Sequence, residues 1–69
     1  MSTGQGRGRV AEFDDHKGYG WIEDSAGRRL FFHCTGIADG SRTIEVGAGV
    51  TYEIVEGRMG AEATGISET

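Results

Sequence analysis

Apolar residues along this chain alternate with polar ones over short runs, and nowhere recur at three-and-four spacing over a dozen positions. That is the periodicity of strands, not of helices. Five strands are expected, at residues 8–13, 17–23, 29–33, 50–56 and 61–67. The links Asp14-Asp15-His16, Ser25-Ala26-Gly27 and Gly57-Arg58-Met59-Gly60 are turn-compatible and of hairpin length. The first three strands then form a meander and the last two a hairpin, joined by the polar stretch 35–49, in which Asp39-Gly40 marks a further turn. Such an arrangement suits an all-β fold, a small five-stranded antiparallel β-barrel whose closure removes exposed edges. Residues 8–67 are expected to form this one domain, with 1–7 as a flexible N-terminal segment.

Neighbouring strand residues point to opposite sides, so parity sorts the faces. In Lys17-Gly18-Tyr19-Gly20-Trp21-Ile22, an inward Ile22 takes Gly18 and Gly20 with it and leaves Lys17, Tyr19 and Trp21 outside. In Leu30-Phe31-Phe32-His33, Leu30 and Phe32 go to the core, and Phe31 and His33 go out. Val50, Tyr52 and Ile54 form the inward set of the fourth strand, with Thr51 and Glu53 wet. The second and third strands are antiparallel neighbours, so one outer patch collects Lys17, Tyr19, Trp21, Phe31 and His33. Three exposed aromatics, an imidazole and an ammonium suit unpaired bases, which stack on aromatic faces while cations track the phosphates.

Composition narrows the reading. Sixty-nine residues allow one domain and no large enclosed pocket, so function belongs on an outer surface. No apolar run approaches membrane-spanning length, and the polar, Gly-rich start does not read as a signal peptide. The single Cys34 cannot close an internal disulfide, which fits a reducing compartment. A soluble cytoplasmic monomer that does not touch membranes is expected. The net charge of −4 opposes nucleic-acid binding, but it is unevenly spread. Arg7, Arg9, Lys17, Arg28 and Arg29 balance five acids in residues 1–34, whereas Arg42 and Arg58 face six acids in the rest.

Other chemistry is poorly supported. His33 and Cys34 are adjacent and diverge on a strand, with no second cysteine to complete a metal site, so no metal or cofactor is expected. His16 falls in a turn, and turn chemistry accounts for Asp14-Asp15. With neither a pocket nor an activated nucleophile, the chain is not read as an enzyme. Arg28 and Arg29 are read as a solvated hairpin end, with an auxiliary phosphate contact as the alternative.

The segments Lys17-Gly18-Tyr19-Gly20-Trp21-Ile22 and Leu30-Phe31-Phe32-His33-Cys34-Thr35-Gly36-Ile37 resemble the two ribonucleoprotein motifs of the bacterial cold-shock domain family. Tyr52-Glu53-Ile54-Val55-Glu56-Gly57 extends the similarity over most of residues 8–66. The resemblance implies a barrel of the OB-fold type and a single-stranded RNA and DNA binder that acts as an RNA chaperone. It carries contact roles to Lys17, Tyr19, Trp21, Phe31 and His33, and Phe13, Arg9, Arg42 and Arg58 complete the candidate set. The chain departs from the family where Ala11-Glu12 stands in place of Lys-Trp, and where Cys34 and Ser41 stand in place of aromatics. A binder weaker than its relatives is therefore expected. A second class stays open, a cold-shock-like fold repurposed as a protein-interaction domain, motivated by Glu12 and by the acidic second half.

Overall fold

The alternation of the sequence is realised in five strands: β1 (Gly4–Asp14), β2 (Tyr19–Asp24), β3 (Arg29–His33), β4 (Gly49–Gly57) and β5 (Gly60–Glu68). They belong to a computed structural model that describes residues 4–38, 40–57 and 60–69. Asp39, Arg58 and Met59 lie outside the described residues, and with them parts of two expected turns. The strands close into a barrel in the order β1-β2-β3-β5-β4. One seam differs from the antiparallel expectation. Strands β3 and β5 run parallel, through Phe31↔Glu62 and Phe32↔Ala63, and an Ile37↔Ile66 bridge continues the pairing. The long connection after β3 delivers β4 to the far side of β1, so β5 returns in the direction of β3.

The chain enters the barrel earlier than its hydrophobicity suggests. Residues 4–7, expected to be flexible, are strand: Gly4, Gln5, Gly6 and Arg7 pair with Ile54, Glu53, Tyr52 and Thr51 of β4. Glycine and polar residues carry no apolar signal, and here backbone hydrogen bonding to β4 fixes the position. Beyond Arg9 the ladder continues through Val10, whose N–H donates to the Ala48 carbonyl at 3.0 Å and whose carbonyl accepts from Gly47 at 2.8 Å.

Parity holds on β2, β3 and most of β4: Gly20, Ile22, Leu30, Phe32, Val50 and Tyr52 are buried, while Ile54 is half-buried against the same core. On β1 it breaks. Val10 pairs with Ile22 and Glu12 with Trp21, so Ala11 is an extra residue, a β-bulge. Strict alternation from the inward Val10 would bury Glu12 and expose Phe13. The bulge reverses both.

Gly20 makes the tight inner curve. A Cβ there would strike the Glu12 carbonyl oxygen and lie 2.9 Å from both the Phe13 Cα and the Phe32 ring. Two of these obstacles are backbone, so Gly20→Ala is expected to lower stability by roughly 1–3 kcal/mol through overpacking. A thermal melt coinciding with that of the parent chain would show that β1 and β2 lie farther apart than described.

The β2–β3 hairpin is held by Asp24, whose Oδ1 accepts the N–H groups of Ala26 at 2.9 Å and Arg28 at 2.8 Å. The Arg28 backbone N–H chiefly holds the Asp24 carboxyl below its ordinary value, against the opposing pull of desolvation. This turn sets the register of the two strands that carry the aromatic residues.

Candidate functional site

Register places Tyr19 opposite His33 and Trp21 opposite Phe31, all on the outer side of β2 and β3. Phe31 is the hub. Its ring centroid lies 5.5 Å from Tyr19, 5.5 Å from Trp21 and 6.0 Å from His33, at interplanar angles of 36°, 74° and 73°. The contacts are tilted or edge-on, and none is a face-to-face stack. Tyr19, Trp21 and Phe31 are half-buried and His33 is exposed.

Phe13 is placed differently. The bulge turns it to the core side, where it stacks on Phe32 at 5.7 Å and 11°, half-buried. Lys17 lies just before β2 in the turn, not in the strand as expected, and is exposed. It lines an open concavity with Glu12, Asp14, Asp15, Tyr19 and Trp21. Asp14 is engaged locally, its Oδ1 accepting the backbone N–H groups of His16 at 3.0 Å and Lys17 at 3.1 Å. One ammonium and three carboxylates share that hollow, which makes it a weak anion site.

Arg9 is exposed on β1, opposite Glu23. Arg42 lies on the exposed loop before β4 at φ 60°, and Arg58 is outside the described residues. Cys34 begins a 3₁₀ turn after β3 and is half-buried against the core. Among the described residues no group of three potential metal ligands is assembled. No helix among them is long and apolar enough to cross a membrane.

One feature of the face has no sequence signature. The Arg29 guanidinium of β3 donates to the Glu12 carboxylate of β1 at 2.7 Å, reaching across β2. The two residues are 17 apart and on non-adjacent strands, so no local pattern marks them.

Residues 6–69 match the family model described as 'Cold-shock' DNA-binding domain. Over 61 residues the chain is 43% identical to cold shock protein CspB of Bacillus caldolyticus, covering 87% of this chain and 92% of that protein. Over 60 residues it is 42% identical to cold shock protein CspD of Bacillus subtilis, covering 86% and 91%. Among solved structures, the Drosophila Unr fragment CSD456 superposes with a TM-score of 0.78 at 26% identity, over 94% of this chain and 26% of that one.

Proposed function

Because the chain belongs to the cold-shock domain family, we propose that it binds single-stranded RNA and DNA and keeps RNA unpaired, in the manner of an RNA chaperone. The observation that carries this reading is the cluster of Tyr19, Trp21, Phe31 and His33 on one outer face, in tilted and edge-on contact around Phe31. Each stacked base contributes about 1–3 kcal/mol, and every base has a face to offer, so recognition is tolerant of sequence. Duplex DNA presents no such faces. Lys17 contacts the phosphates beside Tyr19 and Trp21, and Arg9 and Arg42 add further cations. Phe13 serves from below, holding the Phe32 side of the strand pair in place. The protein works as a monomer in the cytoplasm. A role as a protein-interaction domain is not favoured by any of these likenesses.

Trp21 is the only tryptophan, so it reports directly on the face. Saturating oligothymidine is expected to quench its emission, because a base stacked on indole opens a nonradiative path. Unchanged emission, with binding detected through a dye on the oligonucleotide, would remove Trp21 as a platform. Absence of binding by both readouts would defeat the reading altogether.

A further inference from the structure

The aromatic row and the row beside it are set by pairing across three strands. Glu12, Trp21 and Phe31 stand side by side on β1, β2 and β3, and Arg9, Glu23 and Arg29 form the next row. Arg29 leaves its own row to meet Glu12 diagonally across β2, at 2.7 Å. Both side chains are largely exposed, 53% and 62%, so water and salt keep the pair weak and readily broken.

We infer that Arg29 is a phosphate-binding residue of the single-strand face and that Glu12 holds it in an autoinhibitory ion pair. The inference rests on the nucleic-acid reading above. A strand whose bases stack on Trp21 and Phe31 runs its backbone along the border between the two rows, within reach of the Arg29 guanidinium. That group is planar, permanently charged and forked, and a phosphate engages it in the same way as the carboxylate it now holds. Phosphate and Glu12 therefore compete for the same donors. Arg9 and Arg29 are balanced by Glu23 and Glu12, so this corner carries no net charge, and the Arg29 guanidinium is held by Glu12 until a phosphate takes its place. Arg29 then costs the free protein no unpaired positive charge on its binding face, and becomes available only when a strand arrives.

The test is a double-mutant cycle with a dye-labelled oligothymidine: the parent chain, Glu12→Gln, Arg29→Gln and the double variant, each titrated at several monovalent salt concentrations. Thermal melts confirm that all four are folded, as two solvent-exposed substitutions should allow. Glu12→Gln is expected to raise affinity by up to about fivefold, the upper end for an exposed ion pair, and Arg29→Gln to make the logarithmic salt slope shallower by about 0.7, one lost phosphate contact on a single strand. In the Arg29→Gln background the Glu12→Gln substitution is expected to bring little gain. A gain of equal size in both backgrounds overturns the inference, because Glu12 would then act only by repelling phosphate. Binding by none of the four overturns the nucleic-acid reading and the inference with it.

Discussion

Phe32→Ala is expected to lower the thermal midpoint by on the order of 12–40 °C, or to abolish cooperative unfolding. The ring is fully buried, with 0% of its surface exposed, and sits where Phe13 stacks on it and Gly20 leaves room for it. Truncating such a ring removes its transfer free energy and leaves a cavity, about 3–5 kcal/mol together. A domain of this size shifts by about 4–8 °C per kcal/mol, from a total stability that is seldom above about 15 kcal/mol. The loss also undermines Phe13, whose exposed alternative is blocked by the bulge. Circular dichroism melts decide the matter. A midpoint within a few degrees of the parent would mean that Phe32 is not at the centre of the barrel.

Phe31→Ala, one residue away, is expected to do the opposite. It should leave the barrel folded and weaken oligothymidine binding by roughly 5- to 150-fold, the equivalent of about 1–3 kcal/mol for a lost stack. The larger end is favoured because Phe31 touches Tyr19, Trp21 and His33, and its removal frees all three rings to rotate away from the ligand. Phe31 is half-buried on the outer side of β3 and its truncation encloses no cavity, so any fall in melting temperature is expected to be smaller than that of Phe32→Ala. Unfolding by Phe31→Ala combined with weakened binding by Phe32→Ala would invert the two faces of β3.

That contrast is legible in the sequence through position and not residue type: Leu30 is aliphatic and His33 polar, so alternation sends Phe32 inward with Leu30 and Phe31 outward with His33. What stayed hidden depends on contacts between distant residues. Gly4 to Arg7 have no apolar residue to betray a strand, and only the β4 backbone orders them. The bulge at Ala11 inserts a residue without any change in residue type, so Phe13 carried the same sequence signal whether it faced the ligand or the core. Ile44 lies in a polar stretch that reads as loop, yet it plugs the core. By the resemblance alone, Glu12 marks the loss of a stacking ring. Its partner Arg29 becomes visible only when three strands are laid side by side.

The parallel seam between β3 and β5 gives the barrel an order of assembly. It joins residues about thirty apart along the chain, through two strand pairs and the Ile37↔Ile66 bridge, whereas the hairpins join near neighbours. Chain entropy makes such a junction slow to form and places it after the local hairpins. With two strand pairs it is also the shortest ladder of the barrel, and it is expected to open first in native-state hydrogen exchange, ahead of the longer β1–β2 and β4–β5 ladders. Phe31 belongs to that junction and to the ring cluster at once. A strand that stacks on Phe31 selects the closed barrel, and by linkage each occupied site lowers the population of the open form.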